Sequence, residues 1–232
     1  MRIKNNGKLV SGFVLGLVAL TALPVMAQDR GRGGRRGFGR FGRGGATSLL
    51  RREAVRKELK LTSEQLGKIE DLMESERENR REFFQSLGDL SPEERIKKTA
   101  SNQDKMDVTL GKILKAEQSE RLFQIEIQQS GAAVLGRVRC AKALKLTDVQ
   151  KAKLVELQIA GQRMQREAMR EARDSGDRQA AFAKLRELRE QQNKKLLAVL
   201  TDAQREQFKK MVGEKLDLPR RQGGRRGGGQ RA

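Results

Sequence analysis

Leu59-Lys60-Leu61-Thr62-Ser63-Glu64-Gln65 returns 85 residues later as Leu144-Lys145-Leu146-Thr147-Asp148-Val149-Gln150. The match extends both ways: Val55 aligns with Cys140, Lys57 with Lys142, Lys68 with Lys153 and Leu72 with Leu157. A second anchor pair follows at offset 86, where Ile113-Leu114-Lys115-Ala116-Glu117-Gln118 aligns with Val199-Leu200-Thr201-Asp202-Ala203-Gln204. Two anchor pairs at nearly one spacing mark an internal duplication. The anchor also has a local physical meaning. A Thr followed three residues later by Gln is a capping box, in which the hydroxyl accepts from the third helical N–H and the Gln side chain reaches back to the Thr N–H. Thr62/Gln65, Thr147/Gln150 and Thr201/Gln204 fit that pattern, with Leu61, Leu146 and Leu200 in the hydrophobic-staple position. Lys115 stands where the fourth box needs Thr, so that cap is expected to be lost or weakened. Ser91-Pro92-Glu93-Glu94 is a further helix start, with Ser as cap and Pro at the first helical position.

Apolar residues recur at helical spacing behind these starts. Leu66, Ile69, Leu72, Met73, Phe83, Phe84 and Leu87 form the first stripe, interrupted by Glu76 and Arg80. Ile96, Ala100, Met106, Leu110, Ile113 and Leu114 form the second. In the other copy the stripes are Leu154, Leu157, Gly161, Met164, Ala168 and Ala172, then Phe182, Leu185, Leu188, Leu196 and Val199. Gly88-Asp89 and Asp174-Ser175-Gly176-Asp177 break the long helices. The expectation is an all-α fold of two tandem helical-hairpin units, 46–130 and 131–218. Each unit has a short helix, a long hairpin and a short closing helix. Narrow stripes predict thin pairing, as in coiled coils or open hairpins.

The composition agrees with helices and excludes several chemistries. Of 232 residues, 34% are charged and 3% aromatic, which disfavours an aromatic-rich β-sandwich. There is no His, so neither a His-based triad nor a His-ligated metal centre can form. One Cys forbids an intrachain disulfide. The acidic run Glu74-Ser75-Glu76-Arg77-Glu78 lies among arginines and reads as a solvated helix face, without the spacing of a metal cage. No cofactor motif is present: the glycine-rich stretches lack the Walker pattern and do not lie between a strand and a helix. An enzyme is therefore the reading with least support.

The extreme charge sits at the ends. Residues 1–27 carry basic Arg2, Lys4 and Lys8, an apolar run from Leu9 to Val25, and small-residue processing after Ala27. They read as a cleaved signal peptide, with a membrane anchor as the rival. The mature chain is then periplasmic or secreted and holds no stable span. Residues 28–45 contain eight Gly and six Arg, and 219–232 contain five of each. Neither stretch can bury enough apolar surface to offset ordering entropy, so both are expected to be disordered. Of the formal net charge of +20, the remaining 46–218 carry +7.

Leu-Thr-x-x-Gln boxes opening helices, in an exported, basic, all-helical chain, resemble the Spy/CpxP family of periplasmic proteins. The residues that carry the resemblance are Leu61, Thr62 and Gln65, Leu146, Thr147 and Gln150, and Leu200, Thr201 and Gln204. It covers about residues 48–218. It implies a shallow cradle of helical hairpins, which in the family comes from pairing two chains. Two units in one chain predict a monomer that acts as a pseudo-dimer, with a homodimer as the alternative. It implies an ATP-independent chaperone that holds unfolded or acidic proteins on a basic helical surface. The family also contains a regulatory partner of an envelope-stress sensor and zinc-linked relatives, the last disfavoured here by the missing His. The glycine- and arginine-rich ends and Lys115 depart from the family pattern.

The remaining candidates each keep two readings. Met73, Met164 and Met169 offer adaptable apolar contact or helix packing. Cys140 occupies the slot of Val55, so it is a buried small apolar residue or a free thiol for intermolecular pairing. Arg30, Arg32, Arg35, Arg36, Arg40 and Arg43, with Arg220, Arg221, Arg225 and Arg226, are candidate contacts to a polyanion. That polyanion is an anionic envelope polymer or, with Phe38 and Phe41 interleaved, nucleic acid, which export places last. The plain alternative is a solvated flank.

Overall fold

The computed structural model describes residues 45–218, and among them there is no strand. The chain runs α1 (Ala46–Leu49), α2 (Glu53–Glu58), α3 (Ser63–Gln85), α4 (Pro92–Gly111), α5 (Ala116–Ser130), a 3₁₀ turn (Gly131–Gly136), α6 (Val138–Ala143), α7 (Asp148–Asp174), α8 (Arg178–Leu197) and α9 (Asp202–Val212). The all-α expectation holds. The expected signal peptide, residues 28–44 of the first Gly/Arg stretch and residues 219–232 lie outside the described residues, as do all ten arginines expected to meet a polyanion. No described helix is long and apolar enough to cross a membrane.

The duplication is visible element by element: α2, α3, α4 and α5 correspond to α6, α7, α8 and α9. The likeness reaches the backbone. Lys60 and Lys145 are the only described non-glycine residues with positive φ, each at 50°. Both follow a short helix that closes with a reach-back bond, from Leu61 N to Arg56 O at 3.2 Å and from Leu146 N to Ala141 O at 3.0 Å. This is the Schellman ending, which needs a left-handed residue just past the helix and usually uses glycine there.

Side chains form two hydrophobic clusters. One gathers Leu49, Leu50, Val55, Ile69, Met73, Leu110, Leu122 and Ile125. The other gathers Phe123, Ile127, Leu135, Cys140, Leu154, Leu196, Leu200 and Phe208. Each draws on both repeats. Helix α5 supplies Leu122 and Ile125 to the first and Phe123 and Ile127 to the second. The segment after α9 returns Leu216 and Leu218 to the first. The two copies therefore interlock through α5 and the final described residues.

The long helices bury little. Helix α3 buries Ile69 and Met73, and α7 buries Leu154 and Ala168. The outer ends of the stripes differ from expectation: Phe84 and Phe182 are exposed, at 43% and 53%. Neither side chain belongs to the two hydrophobic clusters. The two hairpins also differ. Helices α7 and α8 make the most extensive backbone contact of the described helix pairs. A Cβ at Gly161 would lie 2.6 Å from Gln192 Cδ, and Gln192 Nε2 donates to Leu157 O at 2.7 Å. The first copy has Glu76, Phe83 and Leu87 where the second has Gly161, Ala168 and Ala172. Backbone contact between α3 and α4 is sparse by comparison.

Candidate functional site

The repeated boxes form as caps. Thr62 Oγ1 accepts from Gln65 N at 3.2 Å while Gln65 Oε1 accepts from Thr62 N at 3.1 Å. Thr147/Gln150 and Thr201/Gln204 do the same, and Ser91 does so with Glu94. Loss of the fourth box is half complete. An ammonium has no lone pair to offer, so Lys115 cannot accept, but Gln118 Oε1 still accepts from Lys115 N at 2.9 Å. Leu146 and Leu200 are buried and Leu61 is half-buried.

The glutamines do more than cap. Gln65 Nε2 donates to Gln118 Oε1 at 2.7 Å, and Gln118 Nε2 returns a bond to Gln65 Oε1 at 3.2 Å. Each amide then uses its second N–H on a carbonyl at the end of another helix: Gln65 on Ile113 O at 2.9 Å and Gln118 on Leu59 O at 3.0 Å. The second copy repeats this with Gln150 and Gln204, which reach Val199 O at 2.9 Å and Leu144 O at 3.1 Å. Four helix ends thus meet at each pair of glutamines: two beginnings, whose N–H groups lack partners, and two endings, whose carbonyls do. Sequence reading finds the caps but misses this clasp. The absence of any substitute for Gln118, even where Thr is replaced by Lys115, is the signal that could have found it.

A charged joint lies between the copies. Arg137, at the N-terminus of α6, donates to Glu126 of α5 and to both oxygens of Asp107 of α4, at 2.6 and 2.5 Å. Arg137 and Glu126 are buried. Arg139 stacks its guanidinium 4.3 Å from the Phe123 ring centroid and bonds Glu120 at 2.5 Å. Burial pushes the Glu126 carboxyl up to about 7, against the pull of Arg137. The partners of Arg137 raise its own value further, despite burial. These contacts span residues up to 30 apart in sequence, so no local spacing announces them. The clue is Glu126 itself, set between Ile125 and Ile127.

Cys140 is fully buried, as is Val55 in the matching slot, and burial pushes its thiol up to about 12. That supports the packing reading. Met73 is buried, while Met164 and Met169 are half-buried. Among the described residues no group of His, Cys, Asp or Glu has the arrangement of a metal site. Among the described residues, the large apolar side chains with substantial exposure are Phe84, Val108, Val149 and Phe182. They stand on helices dense in Arg, Lys, Glu and Gln, on a body of net charge +7. This helical surface is the candidate interaction site. It presents these apolar side chains singly among charged and polar ones. No family model, no curated protein and no solved structure matches this chain.

Proposed function

We propose that the chain is an exported, ATP-independent binding protein of the cell envelope that holds unfolded or acidic proteins in the manner of a Spy-like chaperone. The observation that carries this reading is the pair of thin helical hairpins that leave Phe84 and Phe182 exposed among charges. Positive net charge draws acidic, unfolded chains from a distance. Scattered apolar side chains then hold them without the contiguous patch that would drive self-association. The three Leu-Thr-x-x-Gln boxes and the amino-terminal apolar segment support the same reading through the Spy/CpxP resemblance. A regulatory partner of a membrane sensor would need one saturable complex of fixed stoichiometry.

The test uses residues 45–218, which contain both hydrophobic clusters and both hairpins. Holding predicts suppression of aggregation of a thermally unfolding client at equal molar amounts, without ATP. The effect should weaken with salt, since exposed charges are largely screened beyond about 10 Å at 0.1 M ionic strength. No suppression by this fragment, with activity found only in chains that retain 28–44 or 219–232, would sink the proposal.

A further inference from the structure

Each hairpin carries an exposed phenylalanine near its turn, and each phenylalanine shares its helix face with two arginines. Phe84 lies at the carboxyl end of α3, with Arg80 and Arg77 four and seven residues before it. Phe182 lies near the amino end of α8, with Arg186 and Arg189 four and seven residues after it. Residues at these separations lie on one face of a helix. Helix α3 runs towards its turn and α8 runs away from its own. The order along both hairpins is therefore the same: phenylalanine near the tip, then two arginines towards the base. The duplication does not impose this, since Phe84 aligns with Met169 and Phe182 with Ile96 at the offsets of the two anchors. All four arginines are exposed. None of them enters an ion pair among the described residues; the nearby pairs join Lys97 to Glu93, Arg163 to Glu167 and Lys184 to Glu171. The Phe83 ring meets Phe84 edge-on, with 5.9 Å between centroids, and so restricts the exposed ring. Arg80 is a residue that breaks the apolar stripe of α3, and this arrangement gives it a use.

An apolar ring beside guanidinium groups selects a ligand with the complementary arrangement. Along an α-helix, four and seven residues rise about 6 and 10 Å. An extended chain rises about 3.3 Å per residue, so these distances match about two and three of its residues. Guanidinium groups form charge-assisted, bidentate bonds with carboxylates and also stack on aromatic faces. We propose that each hairpin tip takes an extended client segment in which a bulky apolar side chain lies two or three residues from carboxylates, the phenylalanine meeting the first and the arginines the second. This inference rests on the holding function proposed above and adds a specificity to it: acidic and apolar residues are recognised as neighbours in the client sequence, and not merely as net charge and net hydrophobicity.

The test measures binding directly, with residues 28–232 and short labelled peptides, by fluorescence anisotropy at several salt concentrations. One peptide has a Leu with Glu residues two and three positions away. A second has the same composition, with the Leu at one end and the Glu residues at the other. A third keeps the spacing of the first with Lys in place of Glu. The first peptide should bind about threefold or more tighter than the second at equal charge, and the third should bind weakest. Arg77→Gln, Arg80→Gln, Arg186→Gln and Arg189→Gln together should abolish that preference and weaken the first peptide about fivefold, the scale of two exposed ion contacts. Arg163→Gln, Arg166→Gln, Arg170→Gln and Arg173→Gln, which remove the same charge from α7, should leave the preference in place. Circular dichroism and a thermal melt establish that both variants are folded. Equal binding of the first two peptides to the unsubstituted chain would overturn the inference without recourse to any variant, and equal loss of preference in the two variants would do the same. Suppression of client aggregation is read separately, so a chain that protects clients yet shows no peptide preference keeps the holding function and loses this specificity.

Discussion

Gln65 and Gln118 bond to each other through both amide atoms, from the starts of two helices 53 residues apart. The same pair recurs as Gln150 and Gln204. A motif that reads locally as a helix cap is therefore the knot that closes each unit. Truncating Gln65 to Ala strands the Ile113 carbonyl and half of the Gln118 amide. A loss of about 2 kcal/mol follows from leaving such part-buried groups unpaired. In a denaturant-based double-mutant cycle with Gln118→Ala, the two losses should fall short of additive by about 1 kcal/mol. Strict additivity would mean that the side chains do not communicate.

Lys115→Thr restores the missing half of the fourth box, since the backbone at Lys115 already has the extended φ and ψ of a cap, −65° and 158°. Stabilisation of about 0.5–1 kcal/mol is expected, at the lower end of measured capping effects because the site is exposed. A chemical denaturation midpoint that stays put or falls would count against the cap geometry.

Cys140 should be silent. With its thiol pushed up to about 12 and no exposed surface, a maleimide reagent at pH 8 labels it only as fast as the fold opens. Cys140→Val, which copies the Val55 slot, should keep stability within about 1 kcal/mol, whereas Cys140→Ser buries a hydroxyl and costs about 1–3 kcal/mol. Rapid native labelling, or a disulfide-linked dimer on non-reducing gels, would revive the intermolecular thiol.

Glu126 makes the joint pH-dependent. Its carboxyl is raised in the folded state, so the fold binds that proton more tightly than the unfolded chain does. Stability from this group is fully present below the unfolded value, about 4.3, and is lost as pH rises to about 7. The groups that set this are Arg137 and Arg139, which favour the anion, and Asp107, which disfavours it together with burial. Glu126→Gln should flatten the change in unfolding free energy between pH 5 and 8. An unchanged slope in the variant would assign the dependence elsewhere.

Much of the architecture was readable because it is written in local chemistry. Thr62, Ser91, Thr147 and Thr201 start helices through bonds to residues three positions on, and Gly88 and Gly176 stand at the breaks. The duplication was readable because Val55 and Cys140 keep one environment in two copies. The exposure of Phe84 and Phe182 is not legible there, since a helical stripe says which side of a helix is apolar but not how far along it the core extends. The Gln65–Gln118 clasp, the Asp107–Glu126–Arg137 joint and the return of Leu216 to the first cluster all depend on chain crossings. None has a signature at fixed spacing.

The most direct measurement of the central claim compares residues 45–218 with the same chain carrying Phe84→Ser and Phe182→Ser, as inhibitors of client aggregation without ATP. Both side chains are about half exposed and lie outside the two clusters, so the melting temperature should fall only modestly. Predicted is a fall of several-fold in protection per mole, with the salt dependence of the remainder retained. Full protection by the doubly substituted chain, at unchanged melting temperature, would contradict a function carried by the exposed face of the hairpins.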